Sequence, residues 1–153
     1  MANTYTQIII QLVFAVEERQ SLIAATHQEE VNKYITGIVK KKRSKMLAIN
    51  GVPDHIHILL GLHPTQAISD LVRDIKSDSS EWINGKGWIR GRFSWQEGYG
   101  AFSYSRSQLD TVAKYVINQP EHHSKHSFKA EYLSTLRNFN IAFEEEYVFR
   151  FVQ

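Results

Sequence analysis

Cysteine is absent from the 153-residue sequence, and proline is scarce, with three residues. The absence of cysteine excludes disulfide bonds, thiolate zinc sites and cysteine nucleophiles. It also suits a reducing compartment, so we expect a cytoplasmic protein. No Pro/Gly/Ser-rich linker or internal repeat divides the chain. A chain of this length without a linker predicts one domain over residues 1–153.

Long hydrophobic runs are missing as well. The longest apolar stretch, residues 8–16, is interrupted by Gln11 and is shorter than the roughly 20 residues that a membrane helix needs. Residues 1–7 lack the basic start of a signal peptide. We therefore expect neither membrane insertion nor secretion.

Positive and negative side chains nearly balance each other, and the formal net charge is +2 at pH 7. Strong non-specific nucleic-acid binders usually carry a clearer positive excess. The basic residues are clustered, however, in a run over residues 40–45 and a scattered group over residues 73–92. Such clustering can form a basic face on a nearly neutral protein.

The order of hydrophobic patterns predicts a ferredoxin-like domain of the α+β class. Runs of β-branched and apolar residues indicate strands, and apolar residues spaced three and four apart indicate helices. The predicted elements are a strand at 6–16, a helix at 28–43, strands at 46–51 and 55–62, a helix at 66–84, a strand within 92–104, and helices at 107–123 and 127–138. The strand within 92–104 is predicted to be bent or bulged at Gly98 and Gly100. The first six elements give the βαββαβ order, an antiparallel sheet with helices on one face.

Two histidines, His55 and His57, begin the third predicted strand. Because side chains alternate along a strand, both imidazoles project from one face, while Ile56 projects into the core. Two imidazoles on a rigid strand can converge on one divalent ion. Asp54 precedes the pair and could shape the turn or hydrogen-bond a metal-binding histidine. The pair alone is a weak signal, and two exposed or hydrogen-bonded histidines are the alternative interpretation.

The helix predicted at 107–123 carries a polar flank beside its apolar stripe. Tyr115 and Gln119 form an i, i+4 pair on that flank, and His122 follows one turn later. A tyrosine at the edge of a core, with a solvated hydroxyl, is the alternative for Tyr115. A helix end before Pro120 is the alternative for Gln119.

Three motifs in a fixed order make the chain resemble a known family. They are PDHIH on the third strand, WQEGYGAFS at residues 95–103 and KYVINQPEHH on the later helix. In combination they resemble the single-tyrosine HUH transposases of bacterial insertion sequences, the IS200-like family. The similarity covers nearly the whole chain, including QLVF near the start. Acidic residues at 17–18 depart from the basic residues common there in the family, which argues against a DNA contact at that point.

The resemblance implies the site residues and the reaction. His55 and His57 match the family's metal-binding histidines, and Gln119 matches the third metal ligand. Tyr115 matches the nucleophile, which would attack a phosphorus of single-stranded DNA and keep the 5′-phosphate covalently. The cofactor would be Mg²⁺ or Mn²⁺, whose charge two imidazoles and an amide leave uncancelled. The catalytic core would cover about residues 5–105, with the tyrosine helix and a tail at 124–153 beyond it.

The resemblance also implies partners. The expected substrate is single-stranded DNA with hairpin ends, and the expected assembly is a homodimer in which the tyrosine helix can complete the partner's site. His122 is a candidate accessory base for Tyr115, with water or the metal as the default. Basic side chains would hold phosphates, with a solvated helix end as the alternative for each. The candidates are Lys40, Lys41, Lys42, Arg43, Arg73 and Lys76.

Two other functions fit the same residues less well. A domesticated HUH nickase or replication initiator shares the core chemistry and differs in its DNA context. A non-enzymatic nucleic-acid-binding module would place exposed aromatic residues on the central strands and would be indifferent to metal. The histidines stand where that module would need its aromatic residues.

Overall fold

A ferredoxin-like sheet organises the molecule, as the sequence predicts. The computed structural model describes residues 3–17, 23–119 and 128–139. The elements are β1 (Ile9–Ala15), α1 (Ala25–Lys41), β2 (Lys45–Val52), β3 (His55–Gly61), α2 (Ile68–Lys86), β4 (Gly100–Tyr104), a 3₁₀ turn (Arg106–Gln108), α3 (Leu109–Ile117) and α4 (Phe128–Asn138). The strands are antiparallel in the order β2-β3-β1-β4. This order confirms the predicted fold class.

The largest difference from the predicted elements concerns β4. A strand was expected within 92–104, but only its last five residues, Gly100–Tyr104, pair with β1. Trp95 forms a separate bridge with Val16. Gly98 lies between the two pairings with a φ of 86°, a left-handed conformation that interrupts the extended backbone.

The tyrosine helix is shorter at its start than predicted. Ser105 and Gln108 form a capping box around the 3₁₀ turn, and the regular helix begins only at Leu109. It ends at Ile117, where the Asn50 side chain donates a 2.6 Å hydrogen bond to the last carbonyl. Residues 120–123 of the predicted helix lie outside the described residues. The helix predicted at 127–138 is confirmed as α4.

One face of the sheet, the apolar face, packs under α1 and α2. Alternate residues of β1 and β3 supply it, including Leu12, Phe14, Ile56, Ile58 and Leu60, all at most 2% exposed. The helices complete this core with side chains that recur at helical spacing, such as those of Val31, Ile35, Leu71 and Ile75. No polar side chain of β1 or β3 points to this face.

The opposite face, the histidine face, is covered by α3 and α4. Two small apolar clusters lie on it. One joins Val112 and Val116 of α3 to Leu59, and the other joins Leu133 and Leu136 of α4 to neighbouring strands. A polar strip separates the two clusters and contains the site described next. Within the described part of the chain, none of the helices combines the length and the apolar character of a membrane span.

Candidate metal centre and active site

The two histidines project together from the start of β3, as predicted. His55 and His57 are almost fully buried, with ring centroids 5.2 Å apart. Their cross-strand neighbours on β1, Ala15 and Val13, are small enough to leave room above the sheet. The strand therefore holds both rings side by side in a protected position.

Each histidine is oriented by a polar partner at its Nδ1 atom. His55 Nδ1 lies 2.7 Å from Asp54 Oδ1, the contact that the sequence left open for Asp54. His57 Nδ1 lies 2.8 Å from the Gln11 amide, which in turn accepts a 2.8 Å hydrogen bond from the Tyr104 hydroxyl. Partners of this kind fix the ring orientation of metal-binding histidines. With both Nδ1 atoms engaged, the Nε2 atoms are the ones aimed at a common space.

Two oxygen atoms that could bind a metal lie close to the histidine Nε2 atoms. Gln119 Oε1 is 3.3 Å from His55 Nε2, and Glu131 Oε1 is 2.8 Å from His57 Nε2. The ligand atoms of His55, His57 and Glu131 all lie within 4.8 Å of one another. Gln119, the third ligand expected from the resemblance, is thus beside the histidines, and Glu131 is an additional donor.

These donors fit a divalent cation. An octahedral ion with bonds of about 2.1 Å places neighbouring donors roughly 3 Å and opposite donors roughly 4.2 Å apart. The contacts of 2.8 Å and 3.3 Å match neighbouring ligands, and the ligand atoms of His55, His57 and Glu131 are gathered within 4.8 Å of one another. Imidazole nitrogen with carboxylate and amide oxygen is a ligand set that divalent cations can take.

Glu131 is held as a carboxylate. Burial opposes its ionisation, but hydrogen bonds with His57 and Tyr115 outweigh this and lower the pKa of Glu131 to about 2. A buried carboxylate that stays ionised with no lysine or arginine partner among the described residues is the state that a bound cation would favour. The charge of Glu131 also changes the ligand set from the neutral one that the sequence predicted.

Tyr115 lies beside this cluster on α3. Its ring centroid is 5.8 Å from that of His57, and its hydroxyl hydrogen-bonds to Glu131. Burial, and then the neighbouring Glu131 carboxylate, raise the pKa of Tyr115 above that of a free phenol. The half-buried phenol is therefore neutral at physiological pH, and its position is set by contacts on both sides.

The basic residues predicted to hold phosphates are not gathered at this cluster. The start of β2 pairs with the end of β3, whereas His55 pairs with Val52 at the end of β2. The run at residues 40–43 precedes β2 and so lies at the far end of the sheet. There Lys40 and Lys41 are exposed, Lys42 pairs with Asp74 at 2.7 Å, and Arg43 contacts Thr65.

The other two basic candidates have local partners. Arg73 contacts Asp70 and Asp74 on its own helix. Lys76 donates hydrogen bonds to the carbonyls of Gln96 and Gly98 at 2.8 Å and 2.6 Å. Burial lowers the pKa of Lys76 to about 8. His122, the candidate accessory base, lies outside the described residues.

Glu131 is the site residue that sequence reasoning missed. The only local signal is a polar stripe on α4, in which Glu131, Ser134, Thr135 and Asn138 recur at helical spacing beside the apolar Leu133 and Leu136. Such a stripe is typical of any solvated helix. That it faces a histidine pair depends on how α4 docks, which the local sequence does not encode.

Comparison with known proteins places the chain among transposases. The profile of the family described as "Transposase IS200 like" matches residues 4–119. The chain is 23% identical to the ISDra2 transposase TnpA of Deinococcus radiodurans over 120 residues, which are 74% of this chain and 84% of that protein.

Solved structures show the same fold. A candidate transposase from Deinococcus radiodurans R1 matches with a TM-score of 0.61 and 20% identity, over 78% of this chain and 96% of that one. A REP-associated tyrosine transposase bound to a REP hairpin matches with a TM-score of 0.60 and 15% identity, over 80% and 73% of the two chains.

Proposed function

The chain belongs to the IS200-like transposase family, and on that premise we propose that it cuts and rejoins single-stranded DNA through a 5′-phosphotyrosine on Tyr115. Family membership makes it an enzyme of DNA transposition. The observation that carries the finer proposal is the contact of Tyr115 with His57 and Glu131 in one buried cluster. A nucleophile beside a cation site is the arrangement that phosphoryl transfer needs.

His55, His57 and Gln119 would hold the divalent ion, with Glu131 as a further ligand. When bound, Mg²⁺ or Mn²⁺ would polarise the scissile phosphate and offset the charge on the leaving oxygen. Asp54 and Gln11 would keep the imidazoles oriented through their Nδ1 atoms. The carboxylate brings the ligand set to one negative charge, so the site keeps a net positive charge toward the phosphate.

Strand cleavage is a transesterification at Tyr115. Its Oη forms a bond to phosphorus while the bond from phosphorus to the 3′-oxygen breaks. The phenolic proton is lost to solvent and the departing 3′-oxygen takes one up, so there is no net change in protons. The hydrogen bond to Glu131 and the contact with His57 hold the hydroxyl in one orientation.

Rejoining reverses this step with a different DNA end. The phosphotyrosine retains the energy of the phosphodiester bond, so a 3′-hydroxyl can attack it and release Tyr115. Attack by water would only hydrolyse the strand.

The contacts support a site that is complete within one chain. Within one chain, Tyr115 lies beside His57, and Gln119 and Glu131 lie at the histidine Nε2 atoms. We therefore propose that Tyr115 acts on the metal site of its own chain. The homodimer implied by the resemblance stays a prediction.

Single-stranded DNA with hairpin ends is the proposed substrate. One structurally similar protein is a tyrosine transposase bound to a REP hairpin. The exposed Lys40 and Lys41 lie far from the cut site and suit contacts with a hairpin stem better than with the scissile phosphate.

A covalent-adduct assay tests the chemistry. The protein is incubated with Mn²⁺ and single-stranded DNA that flanks its own gene, and products are separated on a denaturing gel. We expect an adduct with the wild type and with Tyr99→Phe, whose tyrosine is exposed and outside the cluster. Tyr115→Phe should give none. An adduct that persists in Tyr115→Phe, or that forms equally in a chelator, would refute the proposed chemistry.

Mixing two inactive variants tests the one-chain arrangement. His57→Ala keeps the nucleophile and Tyr115→Phe keeps the metal ligands. A site shared between subunits would recover part of the wild-type adduct when the two are co-refolded or co-expressed. We expect no recovery.

A further inference from the structure

A cleft of about 450 Å³ opens on the histidine face beside the cluster formed by His55, His57, Tyr115 and Glu131. It lies between α3 and α4, above β1 and β4, and shares Tyr115 and Glu131 with the cluster. Its described lining includes Gln11, Tyr104, Val112, Ala130 and Asn138. This volume is in the range of small-ligand sites and suits a single nucleotide, not a duplex.

The lining excludes some ligands. Among the described lining residues there is no lysine or arginine, and the one charged side chain is the Glu131 carboxylate. Beyond the proposed metal ligand Glu131, the described lining therefore offers a phosphate group no positive charge to balance its own. A neutral ligand is therefore the one that fits.

The lining also favours a flat ligand that forms hydrogen bonds. Tyr104 offers an aromatic ring that is partly buried, and Val112 and Ala130 add apolar surface. Amide and hydroxyl side chains also line the cleft, among them that of Asn138. An unpaired nucleobase combines an aromatic face with an edge of donors and acceptors, and proteins recognise it by stacking and amide contacts.

The wall that carries these polar groups is α4. Residues 131, 134, 135 and 138 share one side of the helix, and Leu133 and Leu136 anchor the helix to the sheet. This helix lies beyond residues 4–119, which match the family profile. The same helix that brings Glu131 to His57 thus gives the cleft a wall outside the part of the chain that matches the family profile.

We propose that the cleft binds the unpaired nucleobase next to the scissile phosphate and that Asn138 reads the edge of that base. The inference deepens the proposed function and rests on it. One nucleotide would span both sites, with its phosphate at Tyr115 and its base between Tyr104 and α4. The protein itself would thereby select the cleavage position by base identity.

Sequencing of covalent adducts tests the proposal. The wild type is incubated with Mn²⁺ and a single-stranded library randomised around the cleavage site, and the captured strands are sequenced. We expect a preference of about tenfold for one base at a position flanking the cut, which is typical of amide readout. Asn138→Ala should leave all four bases nearly equally represented at that position, with the other positions unchanged. The matched control Arg137→Ala, one residue away and outside the cleft, should keep the preference. A preference unchanged in Asn138→Ala would overturn the proposal.

A cross-linking experiment separates this proposal from the chemistry. Tyr115→Phe protein is irradiated with single-stranded oligonucleotides that contain 5-iodouracil, and cross-linked peptides are identified by mass spectrometry. We expect cross-links at Tyr104, lost when Asn138→Ala is added. Cross-links at Tyr104 without adducts in the first assay would reject the phosphotyrosine and keep the base cleft. Adducts in the first assay without cross-links in the cleft would keep the phosphotyrosine and reject the base cleft.

Discussion

The two faces of the sheet are built from the same strands and differ completely in chemistry. On the apolar face, Ile56 and Ile58 pack under α1 and α2 without a polar partner from β1 or β3. On the histidine face, the neighbouring His55 and His57 are equally buried but are held by hydrogen bonds. Because side chains alternate along β3, one strand places apolar residues in the core on one face and reactive groups on the other.

Burial therefore contributes differently to stability on the two faces. On the apolar face, side chains stabilise the fold as they leave water. On the histidine face, polar groups lose their hydrogen bonds to water and replace them only in part with hydrogen bonds to each other. The two small apolar clusters beside them compensate for this by anchoring α3 and α4. We therefore expect substitutions on the histidine face to reduce activity most, and substitutions on the apolar face to reduce stability most.

Neighbouring substitutions on β3 give the largest expected effects. His57→Ala should reduce DNA adducts to background, because it removes a metal ligand and the neighbour of Tyr115. Ile58→Ala should cost about 2–5 kcal/mol of unfolding free energy, as large-to-small changes in a core do. Urea unfolding and the adduct assay measure both variants. The contrast between faces fails if His57→Ala costs more stability than Ile58→Ala.

Removal of the carboxylate is expected to have the next largest effect. Glu131→Gln keeps the size of the side chain but removes the charge within 2.8 Å of His57 Nε2. We expect Mn²⁺ affinity, measured by calorimetry, to fall about 10–100-fold. Glu81→Gln on α2 is the matched control, since that residue is exposed on the other side of the sheet. Equal affinity in the wild type and in Glu131→Gln would show that Glu131 is not a ligand.

The apolar face could be predicted from the sequence almost entirely. Ile56, Ile58 and Leu60 alternate along β3, and the helices above them repeat at 3.6 residues, so periodicity alone assigns them to one core. The interruption at Gly98 was predicted as a bend or bulge, and the left-handed backbone there confirms it. The start of β4 at Gly100 was not predicted, because it depends on a turn that isolated glycines do not specify.

The histidine face could be predicted only where a motif marks it. His55, His57, Tyr115 and Gln119 were predicted as site residues from residue type, spacing and family resemblance, and the structure brings them together. Glu131 was missed because it reaches the site from α4, 74 positions after His57. A contact between elements so distant in sequence depends on tertiary docking, which neither spacing nor periodicity contains.

A smaller effect is expected from Lys76, which the sequence offered as a phosphate contact. Its ammonium donates to the carbonyls of Gln96 and Gly98 and lies 5.3 Å from the Phe14 ring centroid. Lys76→Met should therefore cost about 1–3 kcal/mol of unfolding free energy, because two carbonyls lose their donor. Affinity for single-stranded DNA should change little. Lys41→Met, at an exposed position, is the control for stability. A loss of DNA affinity without a loss of stability would assign Lys76 to the DNA.

The smallest effect should be a pH dependence that belongs to the histidine face. The pKa of Glu131 is lowered from 4.5 to about 2. A lowered carboxylate pKa stabilises the folded state above pH 4.5, and this contribution is lost as the pH falls toward 2. In chelator, the wild type should lose stability between pH 5 and pH 2 more steeply than Glu131→Gln, in which no carboxylate titrates. Thermal unfolding across that range measures the slopes, with Glu81→Gln expected to follow the wild type. Parallel slopes for all three proteins would mean that the ionised Glu131 contributes nothing to the fold, and that the carboxylate is held there by docking of α4 alone.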